Sequence, residues 1–65
     1  MKQIETGQQL REALQPFKLY SVRDLRDLIK ASHNGRIDNN RIGGILTVAT
    51  ALLETDGNFN YFKKR

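Results

Sequence analysis

The chain has no cysteine and no tryptophan, and only one proline, one histidine and one methionine among 65 residues. Without cysteine there is no disulfide and no zinc–thiolate centre. A single histidine, His33, cannot build a histidine-based zinc site. No apolar run approaches the ~18 residues that a membrane span needs. The opening Met1-Lys2-Gln3-Ile4-Glu5 lacks the apolar stretch of a secretion signal, so a cytoplasmic protein is expected. The chain holds no G-x-x-x-x-G-K-[ST] loop, no H-E-x-x-H pair and no Ser/His/Asp arrangement. Asp24 and Asp27 flank Arg23 and Arg26 and read as a solvated charged face, not an acid/base pair. Neither catalysis nor a cofactor is expected, and the function to look for is binding.

Residues 1–65 make one domain. A chain this short buries only about 60% of its unfolded surface. At ~0.05–0.15 kcal/mol per residue, its stability should be roughly 3–10 kcal/mol. With disulfides and metal excluded, good packing or self-association has to supply it.

What the chain does have is cations. Eleven Lys+Arg stand against seven Asp+Glu, a formal charge of +4, with a pI near 9.9. Such a surplus favours polyanions: nucleic acid, an acidic protein or anionic lipid.

Three helices can be read from caps and apolar spacing. Thr6 and Gln9 form a capping box. Leu10, Ala13, Leu14 and Phe17 then follow on one helical face, and Pro16 ends the segment near Gln15. Residues 17–20 suit a short strand. Ser21 and Asp24 make a second box, with Tyr20 positioned to staple onto Leu25, and Val22, Leu25, Leu28 and Ile29 as the buried stripe. Arg23, Arg26, Asp27 and Lys30 take the outer face, where Asp27 can pair with Arg23. Asn34 or Gly35 can take the left-handed conformation that stops this helix. His33 reads as a surface turn residue.

Asp38 caps the third helix, with Ile37 stapled onto Ile42. Ile42, Ile45, Leu46, Ala49, Leu52 and Leu53 form its core stripe. Gly57 is expected to stop it, giving a helix over 38–56. A strand over 58–62 follows, with Phe59 and Tyr61 on one side. Phe59, Tyr61 and Phe62 can stack on single-stranded bases, but at least two of them are expected to cover the core. The sequence thus predicts a mainly α domain of three helices with a minimal two-stranded sheet.

Few features remain for function. Gly43 and Gly44 each cost about 1 kcal/mol in a helix interior relative to alanine. They suit a tight crossing with the second helix, close approach to a DNA backbone, or a helix that begins only after Gly44. Asn39, Asn40 and Arg41 in the first turn can read bases, or be solvated and locally paired. Gly43 and Thr47 continue a small polar face. Lys63, Lys64 and Arg65 are either phosphate contacts or a solvated tail.

This order of elements, with Ala51-Leu52-Leu53-Glu54-Thr55-Asp56-Gly57-Asn58-Phe59 closing the third helix, resembles the winged-helix domains of the helix-turn-helix class. The resemblance runs from about Phe17 to Lys64. It implies that the third helix, from Asp38, enters the major groove. Asn39, Asn40, Arg41, Gly43 and Thr47 would then be reading positions, and Arg36, Lys63 and Lys64 backbone contacts. The strand over 58–62 is expected to lack a hairpin partner, and to pair with 17–20, with 2–4 or with another molecule. The expected function is binding of double-stranded DNA as a small transcriptional regulator or recombination accessory factor, as a homodimer or in several copies. The alternative is a protein-binding inhibitor or adaptor of a larger enzyme, acting through its helical surface or a C-terminal edge strand. A structural homo-oligomer is a third reading.

Overall fold

The computed structural model describes residues 3–64. Among them are three helices and a small antiparallel sheet: α1 (Gly7–Ala13), β1 (Tyr20–Ser21), α2 (Val22–Ser32), α3 (Asn39–Leu52), β2 (Glu54–Thr55) and β3 (Tyr61–Lys63). About half of the chain is helical. No helix among the described residues is long and apolar enough to cross a membrane.

The helix starts follow from local chemistry. The Thr6 hydroxyl accepts from the Gln9 N–H at 3.1 Å, and the Gln9 side chain accepts in return from the Thr6 N–H, also at 3.1 Å. Ser21 and Asp24 repeat this exchange at the start of α2. The Asp38 carboxylate accepts from the Arg41 N–H at 2.8 Å. Each cap occupies backbone donors that a helix start otherwise leaves open. At the far end of α2, Asn34 and Gly35 both take positive φ, and the Gly35 N–H donates to the Lys30 carbonyl at 2.7 Å.

Leu10, Leu25, Ile29 and Ile42 are the largest fully buried side chains, and Leu14, Tyr20, Ile45, Ala49, Leu53 and Phe62 complete the core with Ile4. Ile37 packs against this cluster from the edge. Not every residue of the expected stripes is inside. α1 stops at Ala13, which is exposed, and Phe17 lies outside any helix with φ at 65°. Val22 and Leu52 are also exposed.

The sheet departs most from expectation. α3 ends at Leu52, not at 56, because Leu53 turns to an extended backbone (φ −107, ψ 157) while keeping its side chain in the core. Glu54–Thr55 then forms a strand that pairs antiparallel with Tyr61–Lys63. The hairpin's second strand is therefore present, built from residues that read as the end of the helix. Gly57, at φ 91°, serves the hairpin loop instead of stopping the helix. Residues 58–60 belong to that loop and not to a strand. β1 is only Tyr20–Ser21, and it pairs with the other side of β3. The order β1-β3-β2 makes a three-stranded sheet with β3 at its centre. Pairing of β3 with the N-terminus does not occur at Ile4, which is in no strand; Lys2, the other named end of that pairing, lies outside the described residues.

His33 is likewise not a surface residue. It is 5% exposed, and its Nε2 donates to the Ile4 carbonyl at 2.8 Å. The neighbouring Ser32 hydroxyl accepts from the Ile4 N–H at 3.0 Å and donates to the Ile29 carbonyl at 2.8 Å. The end of α2 thus satisfies both backbone groups of Ile4 and seats its side chain in the core.

Candidate functional site

At about 100° per residue along a helix, Asn39, Gly43 and Thr47 follow one another on one face of α3, with Asn40 beside them. Asn39 and Gly43 line a cleft with Val22, Arg26, Ile42 and Leu46. Thr47 lines a second cleft with Val22, Leu46, Thr50, Ala51, Phe59 and Phe62. Val22 and Leu46 belong to both, so the clefts join into one groove. It runs from the start of α3, along the start of α2, to the hairpin loop.

The groove wall on α3 carries no charge. The Thr47 hydroxyl donates to the Gly43 carbonyl and the Thr50 hydroxyl to the Leu46 carbonyl, both at 2.8 Å. Their donors are used within the helix. No described residue bonds the side-chain amide of Asn39 or of Asn40, and both residues are exposed. The tight helix crossing expected at Gly43-Gly44 is absent. A Cβ built on either glycine meets nothing within 4 Å. Both glycines lie well inside α3, so the helix does not begin after them.

Arg41 falls on the opposite side of α3 from Gly43. Its guanidinium lies 3.9 Å from the Glu5 carboxylate, with both side chains about half exposed. Such a pair contributes at most about 1 kcal/mol. Arg41 therefore does not share the face of Asn39, Gly43 and Thr47. The cation that does line the groove is Arg26. Arg23 and Lys30 continue its row along α2, with the acidic Asp27 between them, and no ion pair joins Arg23 to Asp27 among the described residues. Arg36 is exposed in the turn before α3, where its N–H donates to the His33 carbonyl at 3.0 Å.

Lys63 and Lys64 are not a solvated tail. Lys63 belongs to β3, and its Nζ lies 3.8 Å from the Glu54 carboxylate on the paired strand. The Lys64 carbonyl accepts from the Phe17 N–H at 2.9 Å, and Lys64 bridges to Pro16. Neither residue lines the groove. Arg65 lies outside the described residues.

Of the three C-terminal aromatics, Phe62 alone covers the core. Tyr61 is 48% exposed and Phe59 68%. Phe59 sits in the hairpin loop at φ 60°, a backbone region that strains a bulky residue. The loop is held by the Asp56 carboxylate, which accepts from the Asn58 N–H at 3.0 Å and the Asn60 N–H at 3.2 Å. Sequence reasoning missed Arg26, Val22 and Phe59 as groove residues. Arg23, Arg26 and Lys30 at i, i+3 and i+7 are the available signal for a mainly basic stripe, interrupted by Asp27 at i+4. Nothing local marks Phe59 as exposed.

No protein-family model, curated protein or solved structure matches the chain.

Proposed function

We propose that the protein binds double-stranded DNA, with α3 in the major groove in the manner of a winged-helix domain. The order helix, strand, helix, helix, strand, strand is the order of that class. The β2–β3 hairpin stands where such domains carry their wing. The observation that carries the reading is the Asn39–Gly43–Thr47 face of α3: exposed, uncharged, open above Gly43 and bordered by Arg26. A helix that enters a groove needs a face free of acidic groups and close backbone approach. Asn39 and Asn40 offer amides suited to adenine, and the Thr47 methyl suits the thymine methyl. Arg23, Arg26, Lys30 and Arg36 are the phosphate contacts in this reading, since the helix before the reading helix crosses the backbone. A regulator or a recombination accessory factor would each use such a surface. Titration of duplex DNA at two salt concentrations tests it: binding that weakens steeply with salt is expected, and no binding at low salt overturns the reading.

A second reading rests on Phe17 and Leu19, which are 72% and 58% exposed on either side of Lys18. That apolar edge suits a protein-binding adaptor or inhibitor. Docking on a C-terminal edge strand has no support, because β3 is flanked on both sides. A stoichiometric protein partner retained after nuclease treatment, and lost on Phe17→Ala, would favour this reading.

A further inference from the structure

The two ends of the groove along α3 differ in chemistry. The end at Asn39 offers an amide and the Arg26 cation. The other end lies between Val22, Leu46, Thr47, Thr50 and Phe59, and none of the described residues that line it is charged. Its only side-chain donors are two hydroxyls, and both hydrogens are taken. Thr47 donates to the Gly43 carbonyl and Thr50 to the Leu46 carbonyl, each at 2.8 Å. What remains to meet a ligand there is mainly hydrocarbon. Phe59 is held at this end against its own backbone preference. It lies at φ 60°, a region that suits asparagine far better than a bulky residue, and a strained residue persists only where its surroundings hold it. The Asp56 carboxylate does so by accepting from the Asn58 and Asn60 N–H groups on either side of it. The Thr55 hydroxyl accepts from the Gly57 N–H at 3.0 Å. The ring is nonetheless largely exposed. Core packing therefore does not explain a phenyl group at this position.

Val22 and Leu46 line both ends, so what fills the apolar end also meets the amide and the cation. A DNA duplex, an anion that displays methyl groups, satisfies both ends; an apolar peptide satisfies only one. The inference rests on the DNA-binding reading, and on that reading the occupant follows from the chemistry of the major groove. Guanine displays two acceptors there, and neither would find a free side-chain donor in this cleft. The apolar group that the major groove displays is the C5 methyl of thymine, which threonine methyl and phenyl groups suit. We propose that the Val22–Leu46–Thr47–Thr50–Phe59 cleft is a pocket for the 5-methyl group of a pyrimidine, and that it selects thymine over bases without that group. Thr47 lies eight residues beyond Asn39, about 12 Å along the helix. The methyl therefore belongs to a different base pair from the one that Asn39 reads. A·T pairs are then recognised at two separate places by two means, an amide at one end and hydrocarbon at the other.

The test removes the methyl and nothing else. Fluorescence anisotropy compares the affinity of the full chain for a labelled duplex of alternating A·T pairs and for the same duplex with uracil in place of every thymine. Uracil pairs as thymine does and keeps the O4 acceptor. A loss of about fourfold or more is expected on the change to uracil, the equivalent of one buried methyl. Phe59→Ala should shrink the ratio of the two affinities towards one. Arg26→Ala should weaken both and leave their ratio as it was. Equal affinity of the unaltered chain for the two duplexes overturns the inference and leaves DNA binding standing. A ratio unchanged by Phe59→Ala does the same, since it puts the methyl elsewhere. Failure to bind either duplex at low salt overturns DNA binding itself, and the pocket with it.

Discussion

Gly7 and Val48 lie so close that no other residue fits at position 7: a Cβ there would sit 2.7 Å from the Val48 Cβ and 2.5 Å from the Ala49 backbone nitrogen. This is where α1 meets α3, and it is the tight glycine crossing of the domain. Gly7→Ala forces its methyl against the Ala49 backbone and the Val48 side chain and should destabilise by about 1–3 kcal/mol. Gly43→Ala and Gly44→Ala meet nothing and should each stabilise by roughly 0.5–1 kcal/mol. Urea melts of the three variants check the opposite signs. A stabilising Gly7→Ala would show that α1 is free to shift away from α3.

The His33 bond to Ile4 joins the N-terminal segment to the end of α2. A carbonyl oxygen only accepts, so Nε2 carries the proton. His33→Phe keeps much of the volume but leaves the Ile4 carbonyl unpaired in a buried site, at a cost of about 1–3 kcal/mol. Ser32→Ala removes the partner of the Ile4 N–H and should cost a similar amount. Amide exchange at Ile4 in the Ser32 variant reads the loss directly: unchanged protection would mean the hydroxyl bond does not hold the segment.

The helix caps give a graded set. Ser21→Ala removes one half of a reciprocal pair and Asp38→Ala removes a single bond of 2.8 Å. Each should lower stability by about 0.5–2 kcal/mol. Asp38→Asn keeps an acceptor and should lose far less, which thermal melting of the two Asp38 variants compares.

On the DNA-binding reading, Arg26 and Arg41 should behave differently. Arg26→Ala removes a phosphate contact, weakens binding to all sequences and lowers the slope of log K against log salt by about 1. Arg41→Ala, on the far side of α3, should change affinity little. Asn39→Ala should relax sequence preference at one position, at about 1–3 kcal/mol between preferred and altered sites. Competition binding with substituted duplexes measures all three. Equal losses for Arg26 and Arg41 would mean that α3 is not oriented as proposed.

Phe59→Ala should leave the melting temperature nearly unchanged, because a largely exposed ring at positive φ contributes little burial and some strain. Phe62→Ala, by contrast, empties a buried aromatic site and should lower stability by about 3–5 kcal/mol, with a correspondingly lower melting temperature. Near-ultraviolet circular dichroism separates the two outcomes.

The legible parts of the fold are local ones. The three caps follow from residues three apart, and Ile42, Ile45 and Ala49 follow from helical spacing. The hairpin was hidden because Glu54 and Thr55 continue a helix in composition, and only the packing of Leu53 turns the backbone there. His33 was misread because its partner, Ile4, is distant in sequence. Gly7 passed unnoticed beside the Gly43-Gly44 pair, since a close crossing depends on which helix arrives and not on the glycine's neighbours. For the candidate site, Asn39, Gly43 and Thr47 were legible as one helical face. Arg41 was grouped with them by adjacency, although one step along a helix turns a side chain to a different side. The role of Arg26 depends on how α2 packs beside α3, which no local pattern encodes.

The central place of β3 makes the hairpin loop the weak link against proteases. The loop holds Gly57, Asn58 and Phe59 in water, and a cut there would leave the segment from Asn60 onward held by strand pairing to Tyr20–Ser21 and Glu54–Thr55, by the Phe17–Lys64 bond and by the buried Phe62 ring. That segment carries Phe62 of the core, the backbone partner of Phe17 and the strand that joins β1 to β2 among the described residues. Cleavage at that one exposed turn should therefore cost the domain the covalent tie between the two strands of its hairpin, and a protease-nicked chain should melt at a lower temperature than the intact one.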